Sequence, residues 1–533
     1  MSGSFSRSQS TRKPGVTATS GGVVAAQHVQ AAEVGADVLA AGGDAVDAAV
    51  AVSFALGVLE PWMSGPMGGG AMMLWREDER RAVALNYGMR SSAGLDLAQY
   101  PLSGAGKASD LFPWESVVDD RNVTGATAVA VPGTMAGISA AHERYGRMPW
   151  SSLLSPAVAL AKRGLHVDWY AALIIASSAR DLARDPDAAA IYLDDGVWPK
   201  GSGWTAQADQ RLDQSAMAAT LDQLSQEGAA TFYQGDIARA LVRDVTDKGG
   251  FLSMADMRDY RVTWSDPLSF RFRDGVVHAV PGLTAGPTLA DAMGHWEDSY
   301  DAAEAEAPSG YLARADGLHR AYAHRLSSMG DHESARAPGC TTHFSIVDRA
   351  GNMVAMTQTL LSVFGSKVVS GSTGLMLNNG VMWFDPEPGK PNSLGPGKAC
   401  LMNVCPVIGE TATGRFALGA SGGRKIMPAV AQISSYLMEQ DMTLQDAIEA
   451  PRLDVSGGAQ VLADTRLAGP VTDALAAKFP LALAQRLPFP YAFACPAAVM
   501  RHGTTNSGTT ETMSPWGGGV AEPESTKDPH EPT

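Results

Sequence analysis

Cysteine is scarce in this chain. There are four, Cys340, Cys400, Cys405 and Cys495, in 533 residues. None forms the C-x-x-C pairing of a zinc or redox site, so they read as reduced, structural residues. No motif supports a catalytic cysteine. Long apolar runs are also missing. No stretch of about 18 apolar residues occurs, so no transmembrane helix is expected. The first fifteen residues, MSGSFSRSQSTRKPG, are polar and basic with no apolar segment behind them, and this favours a cytoplasmic protein. Positive charge is in deficit. The formal net charge is −15, which argues against a nucleic-acid or anionic-membrane partner. His319 and His324 lie five apart, off a common helical face, so no metal pair is expected there. The run Gly65 to Gly70 lacks the preceding strand and the spaced glycines of a dinucleotide site. Its glycines suit either a ligand cradle or close packing on a sheet.

What is present is a large interior. Hydrophobic residues make up 45% and charged residues 18% of the chain, as expected for a globular protein with two lobes or one large sandwich. Residues 27–41 predict a helix that stops at Gly42-Gly43. Asp44 reads as the N-cap of a second helix, Ala45 to Leu59, with Asp47 in its first turn; apolar on nearly every side, it should be buried. Strands are predicted at 71–75, 127–131 and 415–419. Helices are predicted at 136–145, 150–163, 318–328 and 427–440, and the region 165–275 reads as largely helical. Residues 1–20 and 501–533 read as a disordered leader and tail from their Ser, Thr, Gly and charge content.

The stretch from Cys340 to Asn352 carries the chemistry. Thr342, Phe344 and Ile346 alternate with Thr341, His343 and Ser345, the period of a strand. Asp348 to Asn352 predicts a turn, and 353–360 a returning strand. The polar segment before it, 330–340 with Pro338-Gly339, predicts an exposed loop. A cut between Cys340 and Thr341 would leave a threonine at the head of a strand. A free α-amine has a reference pKa of about 7.7–8.0 and can accept the proton of the same residue's hydroxyl. One residue then supplies nucleophile and base. Before the cut, that hydroxyl could attack the Cys340 carbonyl to give an ester that water hydrolyses. Read from these residues alone, Thr341 and Thr342 equally suit ordinary β-branched strand positions.

Thr341 to Val354 resembles the processing site of the γ-glutamyltranspeptidase family, T-T-H-[FY]-S-V-V-D-x-x-G-N-A-V. Further matches follow in family order: Ala41 to Ala51, Glu60-Pro61 with Ser64-Gly65 and Gly68 to Gly70, Val131 to Thr134 with Gly137, Leu377 to Asn379, Pro388 to Asn392, Gly422-Gly423, and Ala450 to Arg452. The resemblance implies a four-layer αββα sandwich. It implies self-cleavage into a large subunit, 21–340, and a small one whose core is 341–500. The two would stay together as a heterodimer, with or without further oligomerisation. It implies a small-molecule amide substrate and no metal or organic cofactor. Thr341 would be the nucleophile and Thr359 its support. The Gly422 and Gly423 amides would stabilise the oxyanion.

The chain departs from the family in the substrate pocket. Gly88 stands where the family's carboxylate-binding Arg would be, and Arg90 lies two residues on, roughly 6–7 Å along a strand. After Asn378-Asn379, Trp383 replaces the amine-binding Asp, and Asp385 is the nearest carboxylate. Met402-Asn403 replaces a Ser-Ser pair, and Leu361 stands in place of an Asn. Losing two charge-assisted contacts of roughly 1.5–3 kcal/mol each should weaken binding of a zwitterionic glutamyl head. Arg90, Asn379, Trp383, Asp385 and Asn403 are the candidate substrate-binding residues. Three readings follow: a γ-glutamyl hydrolase or transpeptidase with altered recognition, an acylase of the glutaryl or cephalosporin type, and an unprocessed relative that only binds small amides.

Overall fold

The computed structural model describes residues 13–109, 112–201, 209–330, 340–456 and 458–523. Most of the loop expected at 330–340, and the one at 201–203 beyond its first residue, lie outside these residues. Fourteen strands form two seven-stranded antiparallel sheets. In chain order they are β1 (Val16–Ala18), β2 (Val23–Ala26), β3 (Gly69–Arg76), β4 (Arg81–Tyr87), β5 (Thr263–Ser265), β6 (Leu268–Phe272) and β7 (Gly275–Ala279). After them come β8 (Cys340–Val347), β9 (Met353–Leu361), β10 (Val407–Glu410), β11 (Arg415–Ser421), β12 (Cys495–His502), β13 (Thr505–Thr510) and β14 (Gly518–Ala521). One sheet runs β5-β4-β3-β9-β8-β2-β14. The other runs β1-β13-β12-β11-β10-β7-β6. The sheets stack through β8 and β9 on β11, and through β2 on β12 and β13.

Helices cover both outer faces. On the first sheet lie α1 (Val29–Ala40), α2 (Ala45–Leu59) and α3 (Thr134–Tyr145). Against the second lie α4 (Gly286–Glu297), α6 (Ile426–Glu439) and α7 (Leu444–Glu449), with α5 (Pro308–Ser328) packed on α4. This is the expected αββα sandwich, with one apolar layer under each helix set and a third between the sheets. The period-two pattern of β8 places its faces accordingly. Phe344 and Ile346 enter the layer beneath α2. His343 and Ser345 face the other sheet, where Ser345 Oγ donates to the Ala497 carbonyl.

Helix α2 begins where its sequence predicts. Asp44 Oδ1 accepts from the Val46 and Asp47 amides, and Asp47 Oδ2 accepts from the Asp44 amide, a reciprocal capping box. The Asp348 carboxylate closes the turn after β8 by accepting from Gly351 N, Asn352 N and Asn352 Nδ2.

Four expectations are corrected. Residues 1–12 of the expected leader lie outside the described residues, but Val16–Ala18 are ordered, because β1 pairs with β13 from Val16↔Gly508 to Ala18↔Asn506. The tail is ordered well past 501, through the rest of β12, all of β13 and β14. Its Ser, Thr and Gly content suggests disorder, yet it serves a stacked sheet. A Cβ on Gly508 would fall 2.5 Å from Val23 Cγ1, so only glycine lets the two sheets meet there. The strand expected at 127–131 is instead a 3-10 turn, Ala126–Ala128, followed by an isolated bridge between Val131 and Arg90. The region 165–275 carries helices but also contains β5, β6 and part of β7.

Candidate active site

Both sheets contribute strand ends to one place. Thr341, buried, stands near the head of β8. Cys340 pairs with Leu361 and Thr342 with Gln358, so the register slips by one and Thr341 faces Thr359 and Leu360. Thr359 Oγ1 accepts from the Leu361 amide at 2.8 Å. Leu361 takes φ +88°, a left-handed conformation that a branched residue rarely adopts. Strain of this kind is a familiar companion of active sites.

Gly68, just before β3, and Gly70, within it, serve packing. A Cβ on Gly68 would lie 2.4 Å from the Thr359 carbonyl, and one on Gly70 would lie 2.1 Å from that of Thr357. Of the two uses open to these glycines, close approach to the strand carrying Thr359 is the one seen.

The second sheet brings the glycine turn expected to hold the oxyanion. Gly422 and Gly423, at the end of β11, adopt φ +130° and +64°. They open a short 3-10 turn, Gly423–Lys425, that leads into α6 and packs on β8. Amides presented at such a turn before a helix suit a developing oxyanion.

Behind Thr341 lies a buried polar chain. Thr342 Oγ1 lies 2.9 Å from Glu60 Oε2 and 3.2 Å from Gln27 Oε1. Gln27 Nε2 donates to Ser421 Oγ and to the Cys495 carbonyl, each at 2.7 Å. Burial raises the Glu60 carboxyl to about 7. His343 is held between Thr357 Oγ1 (2.8 Å) and Ser345 Oγ (2.9 Å). Burial lowers its pKa to about 3, so it is a neutral structural group.

The pocket residues divide. Met402 occupies the space a side chain at 88 would need, its Cε lying 2.8 Å from a Cβ built on Gly88. Trp383 is wholly buried between the sheets, and its indole N–H has no hydrogen-bond partner among the described residues. Asn403 Oδ1 accepts from Arg325 at 3.2 Å, while its Nδ2 is buried without a partner among the same residues. Arg325, itself buried, also donates to Thr284 O, Thr288 Oγ1 and Met402 O.

The other candidates are engaged in holding the fold. Asn379 Oδ1 accepts from Ser362 N, and its Nδ2 donates to Val123 O and Ser362 Oγ. Asp385 accepts from Glu387 N at 2.9 Å and closes a short loop through Asn392 and Leu394. Arg90 is exposed, and its backbone bridges Val131 and Ala399. Sequence reasoning passed over Gln27, Arg325 and Ser421, and took Glu60 only as part of a motif. Isolated polar residues carry no periodicity, and only the stacking of the sheets brings these four toward the site. Cys400, Cys405 and Cys495 are buried thiols that form no disulfide with one another, and Cys400 Sγ donates to the Gly380 carbonyl. No metal-type cluster of His, Cys, Asp or Glu occurs among the described residues.

Two stacked antiparallel sheets with a threonine heading a central strand define an N-terminal-nucleophile hydrolase fold. The match to known proteins is narrower. The family model described as Gamma-glutamyltranspeptidase covers residues 31–340 and 333–479, and the chain belongs to that family. It is 34% identical over 476 residues to the Acylase ACY 1 proenzyme of Pseudomonas sp. strain V22, covering 82% of this chain and 83% of that one. It is 30% identical over 487 residues to the Glutathione hydrolase proenzyme of Bacillus subtilis strain 168, covering 81% and 80%. In fold it is similar to a cephalosporin acylase from Bacillus halodurans, with TM-score 0.83 and 22% identity over 98% of this chain and 99% of that one.

Proposed function

We propose that the chain cuts itself between Cys340 and Thr341 and then cleaves small γ-glutamyl or related acyl amides through an acyl-enzyme on Thr341. The observation that carries this reading is Thr341 near the head of β8, opposite Thr359 in the register, on the strand against which the Gly423–Lys425 turn packs. In the precursor the Thr341 hydroxyl attacks the Cys340 carbonyl. The amide nitrogen leaves as the new α-amine, and water hydrolyses the resulting ester. In the mature enzyme the α-amine takes the hydroxyl proton as Oγ1 attacks the substrate carbonyl. The glycine amides hold the oxyanion, the protonated leaving amine departs, and water or a second amine releases the acyl group.

A second reading rests on Met402 and Trp383. Met402 fills the space beside Gly88, and Trp383 carries an indole where a carboxylate would pair with an ammonium. Both favour an acyl head without the charges of an α-amino acid, as does the likeness to an acylase. The test is release of aniline from γ-glutamyl and glutaryl anilides by the wild type and by Thr341→Ala. The wild type should release aniline from one or both, and the ratio separates the acyl classes. Thr341→Ala should remain one chain and inactive. A wild type that stays uncut and turns over neither substrate would leave only a small-amide-binding role.

A further inference from the structure

The buried chain behind the nucleophile has too few hydrogens unless Glu60 keeps its proton. The Cys495 carbonyl accepts only, so the contact from Gln27 Nε2 fixes the orientation of the Gln27 amide. Gln27 Oε1 therefore faces Thr342 as an acceptor. Thr342 Oγ1 has one hydrogen and two neighbours, Gln27 Oε1 and Glu60 Oε2. With Glu60 ionised both neighbours are acceptors, and one contact sets lone pair against lone pair. With Glu60 protonated every contact has its hydrogen. Glu60 donates to Thr342, Thr342 to Gln27, and Gln27 to Ser421 Oγ and the Cys495 carbonyl. The chain starts beside Thr341 in one sheet and ends beside Gly422 in the other.

Among the described residues no cation opposes Glu60. Glu60 is buried, and Thr342 is the one hydrogen-bond partner of its carboxyl among the described residues. Tyr491 and Cys495 face it as neutral acids, and burial holds both protonated. Tyr170 touches Tyr491 through its hydroxyl. Charges stand further out. Lys425 donates to the Tyr491 and Ala492 carbonyls, while Lys13, Arg452 and Glu511 act on Cys495. His28, beside Gln27, caps α1 and faces Asp168. Desolvation, opposed only by the Thr342 bond, raises the Glu60 carboxyl to about 7, in agreement with the hydrogen count.

We propose that Glu60 is a positioning residue that works as a neutral carboxylic acid, its proton tying the strand that carries the nucleophile to the turn that carries the oxyanion amides. Loss of that proton loosens the tie, so turnover falls as pH rises. The proposal rests on Thr341 as nucleophile, and its test separates the two. The first measurement needs neither processing nor substrate. In the Thr341→Ala protein at pH about 5, the infrared spectrum should show a neutral-carboxyl band that Glu60→Gln removes. The band should survive Asp454→Asn, since Asp454 is another buried carboxyl pushed up, to about 6. A spectrum that Glu60→Gln leaves unaltered would overturn the proposal whatever Thr341 does. The second measurement is the pH profile of kcat in processed enzyme. The wild type should give a bell. Glu60→Gln, whose amide donates to Thr342 at any pH, should lose the descending limb or move it up by more than about one pH unit, with little change in KM. Identical profiles would overturn the positioning role.

Discussion

His343 lies two residues past Thr341 and carries a pH signature of its own. Its pKa is lowered to about 3 against an ordinary 6.5. The unfolded chain therefore binds a proton near 6.5 that the folded chain accepts only near 3. This stability is complete above 6.5 and is lost as pH falls toward 3. Glu60 has the opposite sign. Its carboxyl is raised from 4.5 to about 7, so its contribution is complete below 4.5 and lost as pH rises through 7. Urea midpoints should fall less steeply below pH 6.5 in His343→Asn than in the wild type. Above pH 4.5 they should fall less steeply in Glu60→Gln. At the pocket, Met402→Ala should cost about 2–5 kcal/mol in urea unfolding, because a wholly buried side chain is removed. Gly88→Ala presses on the same thioether, whose flexible end can shift, and should lower the melting temperature by less than Met402→Ala does.

At the scale of elements, Arg325 on α5 holds the pocket wall from behind. It donates to Thr284 O, Thr288 Oγ1, Met402 O and Asn403 Oδ1. Arg325→Met leaves these acceptors buried and unpaired, each at roughly 1–3 kcal/mol. The variant should lose several kcal/mol of stability in thermal or urea unfolding, and its KM should rise as the Met402–Asn403 segment loosens. Such a residue is invisible in sequence, because a helix pattern does not show which polar group turns inward. Elements with local signals were legible. Asp44 and Asp47 mark the start of α2, and alternation plus an Asp-Gly-Asn turn marks β8 and β9. Strands β1, β13 and β14 were not legible. Strands β1 (Val-Thr-Ala) and β14 (Gly-Gly-Val-Ala) are too short to show alternation, β13 (Thr-Asn-Ser-Gly-Thr-Thr) is polar, and β1 and β14 find their partners at the opposite end of the chain. The same holds for the site. Motif order places Thr341, Thr359, Gly422 and Gly423, whereas the engagement of Asn379 and Asp385 with their own loops appears only in three dimensions.

The whole molecule explains why a cut chain would stay together. In one sheet, β9 and β8 sit between β3 and β2, and β14 pairs beyond β2. In the other, β13 to β10 sit between β1 and β7. Residues on either side of the Cys340–Thr341 bond thus alternate across both sheets, and the three apolar layers draw on both. After processing, the two fragments should elute as one species in size exclusion and separate only in denaturant. Elution as two species under native conditions would contradict this interleaving.

The central claim is that Thr341 becomes a free N-terminus. The most direct test is the intact mass of the purified protein with N-terminal sequencing of its fragments, beside Thr341→Ala. The account predicts two fragments in the wild type, the smaller beginning Thr341-Thr342-His343, and one chain in the variant. A wild-type chain that stays whole while still cleaving amides would contradict it, because the α-amine that serves as base would not exist.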